Sequence, residues 1–481
     1  MDATKQILDR FEQISSIPRG TTREQRISQW LQDWAAGHNF KSRTDKTGNL
    51  VIQIPATPGF EHAPIVILQG HMDMVCEKSL NSSHDFTRDP IRCIREGDWL
   101  HADGTTLGAD NGIAIAIALT LAGDKSASHP PLELLFTVEE EVGIGGASQL
   151  EPTLISGKTL INLDSEEEGA FIVGCAGGKT TKIQLPVSQV ELAKDYEILS
   201  LAVDDLQGGH SGVEIHKHRA NANKILVRAL DYIQQAIPIQ LSLFRGGNAS
   251  NAIPRSAEAV FACPSEMFSL WNEQFASMAA QFQNEYASSD PGLKLRLAKS
   301  EDDRVHQVVN STDTARVIQL LMALPHGVAQ MSAVIEGFVE TSNNLAVVEL
   351  ADNTLHVTSS QRSTVMSQLE ELTRRIEAIA LLAGARVEHT EGYPAWQPNM
   401  NSSVLKKSVD VYEGLFEQKP EVKMIHAGLE CGIIGERCGE MDMVSLGPTI
   451  KNAHSPNEML YIPSVTRVWE FLVELLMRLS D

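Results

Sequence analysis

The chain has 481 residues, 42% hydrophobic and 21% charged, ordinary globular values that exclude a disordered chain and call for more than one domain core. A surplus of 62 acidic over 40 basic residues gives a formal net charge of −22, mostly a solvated acidic surface and the wrong sign for gripping nucleic-acid phosphates. The longest uncharged apolar stretch, 112–123, falls short of the ~20 residues of a membrane-spanning helix, so neither a nucleic acid nor a membrane is an expected partner.

In chain order, residues 5–14 and 22–37 read as amphipathic helices, followed by a turn at Lys46–Asn49. NLVIQIPA and PIVILQG are apolar runs of strand length, the second bounded by Pro64 and Gly70. Residues 111–122 are small, apolar and long enough for a buried helix. LELLFTV (132–138) and KTLINLD (158–164) are again buried-strand runs. This alternation predicts an α/β domain whose mixed, mostly parallel sheet is sandwiched by helices.

The texture changes after about 190. EILSLAVDDL reads as a strand, RANANKILVRALDYIQQAI as a helix, and AVVELADNTLHVTSS as a hairpin turning at Asp352–Asn353. The next helix has Val365, Leu369, Leu372, Ile376 and Ile379 on one face, Ser363 as its expected N-cap and Gly384 as its stop. Residues 190–395 thus read as two strand-then-helix modules of an inserted α+β domain, without a clear sequence repeat. After Trp396 the first texture returns, with a helix at 402–416, MIHAGLECG, MDMVSLGPT and a closing helix at 463–479. The expected organisation is one domain, 1–189 and 396–481, interrupted by another at 190–395.

Several familiar motifs fail to complete. GCAGGKT has Val173 where a phosphate loop requires its first glycine, and GIGGAS lacks the last glycine of a dinucleotide fingerprint. GHSG is one residue short of a nucleophile elbow. His216 and His218, flanked by Lys217 and Arg219, read as a basic surface turn. Six scattered cysteines without a CxxC pair, and a charged N-terminal stretch without a signal-type apolar core, read as a cytoplasmic protein with reduced thiols.

Five segments place acid or imidazole beside buried strands or a buried helix: QGHMDMV (69–75), TLGADNG (106–112), TVEEEVG (137–143), NLDSEEEG (162–169) and KNAHSPNE (451–458). His71 and Asp73, two apart on an extended chain, face the same way, and a metal-binding histidine needs such a carboxylate to orient it. Taken alone, each segment reads as a polar strand end, a helix cap or a solvated acidic loop. Together they supply two histidines and at least three carboxylates at the strand ends of one α/β domain, the edge where such folds build sites. That donor set suits zinc, with manganese or cobalt also compatible. Five ligands exceed one catalytic zinc and fit two ions ~3.5–4 Å apart, one carboxylate bridging and each ion taking one more carboxylate and one histidine.

HMDMV, TTLGADNG, TVEEEVG, NLDSEEEG and NAHSPNE resemble, in order and spacing, the dizinc exopeptidases related to carboxypeptidase G, peptidase T and the carnosinases. HDFTRDPI, GCAGG, GGHSGVEIH, NANKILVR, NAIPR, HAGLECG and EMDMVSLGPTI narrow the resemblance to the bacterial aminoacyl-histidine dipeptidase branch, nearly end to end. The resemblance implies a zinc exopeptidase-like catalytic domain, with His71 and His454 each on one metal, Asp110 bridging, Glu141 completing one ion and Asp164 the other. It implies Asp73 as the orienter of His71 and Glu140 as general base on the water between the metals. The family pattern Glu-Glu-x-Gly selects residues 140 and 141 and leaves Glu139 outside. It further implies that the inserted domain is a lid, with His210 donating to the scissile carbonyl and Asn251, Arg362 and Gly428 contacting a small dipeptide, in a homodimer. An N-acyl amino acid amidohydrolase with the same metals and a different lid is the alternative enzyme reading. A metal-dependent scaffold would need a lost base or ligand, and every one is present.

Overall fold

The computed structural model describes residues 2–300 and 305–480 and divides into two units, Met1–Cys175 with Trp396–Ile425 and Leu429–Asp481, and Ala176–Ala395 with His426–Gly428. The division falls earlier than the expected boundary at 189. The strand Gly177–Pro186 pairs with Thr354–Ser363 and Arg386–His389, and so belongs to the inserted unit. The short strap 426–428 also belongs there, a detail with no composition signal.

The first unit is built on a sheet of eight strands among the described residues. Their order is Lys41–Thr44, Leu50–Ile54, Leu132–Thr137, Val66–His71, Thr159–Asn162, Asp442–Ser445, Ala170–Cys175 and Glu421–Ile425. The four central neighbours from Leu132–Thr137 to Asp442–Ser445 run parallel, and antiparallel pairs close the Lys41 side. Every residue of Leu132–Thr137 and Val66–His71 is buried, as continuous apolar runs in a parallel sheet require. Helix Ala109–Gly123 is apolar on all sides and almost wholly buried in the same core. Helices Ala3–Ser15, Ser403–Phe416 and Ile462–Leu479 add apolar faces to it. Ser402 accepts from the Leu405 amide and starts its helix as a side-chain cap.

The second unit carries an antiparallel sheet ordered Lys294–Lys299, Tyr196–Asp204, Ala257–Pro264, Gln240–Gly246, Val339–Ala351, Thr354–Ser363, Gly177–Pro186 and Arg386–His389. It consists of two like halves. One runs strand Tyr196–Asp204, helix Ala222–Gln234, strands Gln240–Gly246 and Ala257–Pro264, helix Phe268–Glu285 and strand Lys294–Lys299. The other runs strand Gly177–Pro186, helix Ser311–Ala323, strands Val339–Ala351 and Thr354–Ser363, helix Met366–Leu382 and strand Arg386–His389. In each half the spatial order is fourth, first, third, second. The sheets of the two halves pair edge to edge at Arg245 with Glu349 and Gly246 with Val348, and their helices Ala222–Gln234 and Ser311–Ala323 pack into one shared core. The two halves are therefore topological copies, the first inserted between the first strand and first helix of the second, and they do not coincide with the two modules read from the sequence because the second half begins at strand Gly177–Pro186.

The hairpin turns at Asp352 and Asn353, both at positive φ as a tight hairpin turn requires. Ser363 is not the N-cap of the following helix. It lies inside the strand and accepts from the Val365 amide, and the helix begins at Met366 without a side-chain cap. Among the described residues no helix is long and apolar enough to cross a membrane.

Leu134 sits in the centre of the first sheet, fully buried and flanked by Ile52 and Leu68 on the neighbouring strands. Leu134→Ala should lower the unfolding free energy of this unit by about 2–5 kcal/mol, because the surrounding hydrogen-bonded sheet collapses poorly into the cavity. Urea unfolding followed by tryptophan fluorescence measures it, and a loss under about 1 kcal/mol would contradict the packing described.

Candidate metal centre

The site is built at the ends of three parallel strands and two loops of the first unit. Strand Val66–His71 delivers His71, and Gly70 before it is dictated by the helix packed there. A Cβ at Gly70 would lie 2.2 Å from Asn111 Oδ1 and 2.9 Å from Ala114 Cβ. Asp110 lies in the first turn of helix Ala109–Gly123, where Asp110 and Asn111 depart from helical φ/ψ. Glu140 and Glu141 follow strand Leu132–Thr137, Asp164 follows Thr159–Asn162, and His454 comes from the loop after Ile450–Lys451.

His71 Nε2 stands 3.0 Å from Asp110 Oδ1 and 3.4 Å from Asp164 Oδ1. His454 Nε2 stands 3.0 Å from Asp110 Oδ2 and 3.0 Å from Glu141 Oε2. Asp110 thus turns one oxygen toward each histidine, and the five side chains divide into two overlapping sets that share it. Ligand atoms of His71, Asp110 and Glu141 all lie within 4.8 Å of one another. Donors bound at ~2.0–2.1 Å around a tetrahedral ion are roughly 3.3 Å apart, close to the separations found here.

The electrostatics fit a cation. Burial, with Asp110 and Glu141 nearby, lifts the Asp164 carboxyl to about 6 against the pull of His71. Burial likewise drives Glu140 well above the usual carboxylate range, with Asp164, Glu430 and Glu141 adding to the push. His454, hydrogen-bonded to Asp110 and Glu141, is raised to about 11. Burial opposes charge on His71, but Asp164, Asp110 and Asp73 outweigh it and raise its pKa well above the usual value. Acids that cannot all ionise in a dry cleft are relieved by metal ions in place of protons. Glu141 Oε1 and Asp164 Oδ1 are buried without a hydrogen-bond donor among the described residues, oxygen valences that a metal would fill.

Asp73 organises the rim of the site. One oxygen lies 3.3 Å from His71 Nδ1 and accepts the Glu140 amide at 3.1 Å. The other accepts the Glu141 amide at 3.2 Å and the Thr21 hydroxyl at 2.9 Å. The same carboxylate therefore lies beside the imidazole while its hydrogen bonds to the Glu140 and Glu141 amides set the register of the glutamate run. Glu139 has a positive φ, gives its amide to Glu24, and rests its side chain beside Gly145. Of the three glutamates in NLDSEEEG, Glu167 is paired with Lys423, and Glu168 accepts from Tyr412 and Arg467.

Several supporting residues escape sequence reasoning. Glu458 is buried and accepts the amides of Leu107, Gly108, Ala109 and Asp110 at 2.7, 2.9, 2.7 and 3.3 Å. Arg19, 1% exposed, gives its guanidinium to the carbonyls of Met72, Asp73 and Gly108. Asn111 accepts the His71 amide and donates to the Leu163 carbonyl, bracing two ligand-bearing segments. Glu430, pushed up to about 7 mainly by burial, accepts from Gln69 at 2.5 Å and Thr137 at 2.8 Å below the strand ends. Glu458 and Glu430 stand inside quoted motifs, which was a signal. Arg19 follows an unremarkable Ile-Pro and left none.

The second unit gathers the other candidates. His210 accepts the amides of Gly212 and Val213 at Nδ1, which leaves its proton on Nε2. The strand pair Gly209–His210 with Ala252–Ile253 sets Asn251 beside it, the Asn251 carbonyl accepting from Ser211. Asn344 braces that loop through the carbonyls of Ser250 and Ala252. A Cβ on Gly212 would lie 2.2 Å from the His426 carbonyl, 3.1 Å from the His210 ring and 3.2 Å from Arg362 Cδ, so these three meet around it. Gly428 ends the strap that carries His426. Burial, with Arg362, His210 and His216 nearby, holds His426 down to about 3 and hence neutral. His216 lies in the short helix Ile215–Lys217 and His218 has a positive φ, a turn as expected.

The Peptidase_M20 family model, peptidase family M20/M25/M40, matches residues 67–478. The cytosol non-specific dipeptidase of Escherichia coli (strain K12) is 40% identical over 468 residues, covering 97% of this chain and 96% of the relative. The crystal structure of aminoacylhistidine dipeptidase from Vibrio alginolyticus superposes with a TM-score of 0.83 at 39% identity, covering 98% of this chain and 96% of that one. Human carnosine dipeptidase 1 shares the fold, at a TM-score of 0.53 and 11% identity over 99% of this chain and 97% of that one. With ligand-type side chains gathered at its sheet edge and this match along most of its length, the chain belongs to peptidase family M20/M25/M40.

Proposed function

We propose that the chain is a metal-dependent dipeptidase acting on dipeptides with free amino and carboxyl termini, Xaa-His dipeptides such as carnosine among them. The observation that carries this reading is Asp110, each of whose oxygens faces a different histidine at 3.0 Å, in a chain so similar to two named dipeptidases. In this reading His71, Asp110 and Asp164 hold one divalent ion, and His454, Asp110 and Glu141 the other. Zinc suits the mixed imidazole and carboxylate set, and cobalt or manganese is compatible.

When bound, the two ions supply Lewis acidity to the peptide carbonyl and lower the pKa of water. Glu140 takes the proton of the attacking water and delivers it to the leaving amine nitrogen, a task suited to a carboxyl whose pKa is lifted by burial. Asp73 keeps the His71 ring oriented through Nδ1. His210, with its proton on Nε2, donates to the developing oxyanion. Arg362, 8% exposed, reads the substrate carboxylate, and Asn251 and Gly428 contact the same dipeptide. A cytoplasmic location is supported by six cysteines free of disulfides and by the name of the Escherichia coli relative. A homodimer is supported by the frequency of symmetric pairs.

Glu140→Ala should retain about two metal ions per chain and lose roughly 10²- to 10⁴-fold in kcat. Metal analysis finding one ion lost in this variant, while Glu141→Ala keeps both, would exchange the two roles.

Chelation should abolish dipeptidase activity reversibly while the far-ultraviolet circular dichroism stays largely intact, because the apolar sheet core rather than the metal holds the fold together. Collapse of that signal at room temperature on stripping would make the metals structural.

Arg362→Met should lose about 30- to 1000-fold in kcat/KM on a dipeptide and much less on its C-terminal amide, which has no carboxylate to pair. Equal losses on the two substrates would show that Arg362 reads something else. Turnover of acetylated amino acids in place of dipeptides would establish the amidohydrolase.

A further inference from the structure

Arg362 lies on strand Thr354–Ser363, directly opposite Gly178 on strand Gly177–Pro186. Gly178 has no side chain to cover that position, and the chain at 392–395 crosses over it. The Gly178 amide donates to the Tyr393 carbonyl at 3.0 Å, and the Tyr393 amide donates back to the Gly178 carbonyl at 2.9 Å. The phenol ring lies so close to Gly178 that a Cβ there would stand 2.5 Å from both Cζ and the hydroxyl oxygen of Tyr393. From this seat the Tyr393 hydroxyl accepts from Arg362 Nη1 at 2.6 Å. Arg362 Nε is buried without an acceptor among the described residues. The GCAGG motif is thus not a failed phosphate loop but the place where two backbones pass closely enough to bring a tyrosine to a buried arginine.

We infer that Tyr393 is a positioning residue for carboxylate recognition, its hydroxyl fixing the Arg362 guanidinium and Gly178 providing the seat for its ring; this rests on the reading of Arg362 as the carboxylate receptor. A guanidinium held by one neutral hydrogen bond keeps its full charge and its remaining donors for an arriving anion. A carboxylate in place of the phenol would neutralise it instead. Four rotatable side-chain bonds make an unheld arginine costly to order on binding, so anchoring one nitrogen in advance favours tight recognition.

The test is steady-state kinetics of the metal-loaded full chain on a dipeptide and its C-terminal amide, in five forms: wild type, Tyr393→Phe, Gly178→Ala, Arg362→Met and the double variant Tyr393→Phe with Arg362→Met. Tyr393→Phe should raise KM for the dipeptide by about 5- to 20-fold, with a smaller change in kcat and a distinctly smaller loss on the amide. Gly178→Ala, whose methyl displaces the ring, should reproduce that pattern. Adding Tyr393→Phe to Arg362→Met should cost little more than Arg362→Met alone, because the two act through one contact. Equal losses on dipeptide and amide for Tyr393→Phe would reduce the tyrosine to a packing role and overturn the inference. An unaffected Tyr393→Phe beside a carboxylate-selective Arg362→Met would overturn it while leaving the parent reading standing. Losses for Arg362→Met that do not distinguish the substrates would remove both.

Discussion

One carboxylate facing two imidazoles is the constraint on which the catalytic unit depends. Asp110 offers an oxygen to His71 and another to His454, residues nearly four hundred positions apart in the chain. Around them Glu140, Glu141 and Asp164 crowd more negative charge into a buried edge than imidazoles can balance, and repulsion in a low-dielectric setting is strong. Such a cluster persists only if its members are held in place from behind and if cations share the space. The parallel sheet supplies the first requirement, because its strands end together and their following loops converge.

The holding is done largely by groups that touch no reacting atom. Arg19 and Glu458 are both buried, and each would cost several kcal/mol to desolvate alone. Burial pushes the Arg19 pKa down and the Glu458 pKa up, while Arg19 is sustained by Glu458, Asp73 and Asp110, and Glu458 by four backbone amides at the helix start. Charge-assisted bonds to backbone groups are directional, so they fix the turn at 107–110 and the strand end at 72–73 more firmly than apolar packing would. Asp73 then links the strand end to the glutamate loop. A short chain of side chains, Glu430 to Gln69 to Asn162 to Ser445, runs beneath the same edge with bonds of 2.5 Å. In that buried position every partner lost leaves another unsatisfied, which makes the edge rigid as a whole.

The inserted unit solves a different problem. Its two halves have the same strand order, and each covers its sheet with two helices, giving one continuous core. Polar side chains buried within it are used to pin loops. Asn343 receives Ser359 and Gln361 and donates to the Pro325 carbonyl, while Asn344 holds the loop at 250–252. The result is a set of candidate recognition groups, His210 and Arg362 on strands, Asn251 in a loop braced by Asn344, and His426 in a strap held by the Ser342 hydroxyl. Such anchoring gives recognition its geometric precision.

Much of this was determined by the sequence alone. The apolar runs at 66–70 and 132–137, the buried helix after Asp110 and the hairpin at 352–353 carry their structure in local pattern, because periodicity and turn chemistry act over a few residues. The ligand-type residues were legible only jointly: each segment alone reads as a polar strand end, a helix cap or an acidic loop, and it is their order and spacing together that resemble the dizinc exopeptidases. What only the tertiary structure decided depends on contacts between distant segments. Local pattern could not place the boundary at Cys175, because strand Gly177–Pro186 is assigned by its partners at 354–363 and 386–389. The expected N-cap at Ser363 gave way to a strand that continues through that residue. Arg19, the glycines of GCAGG and Tyr393 acquire meaning only where chains cross, at the turn above Asp110 and over Gly178. A carbonyl that needs a donor or a ring that needs room leaves no periodic trace in one dimension; it is set by what the folded chain brings alongside.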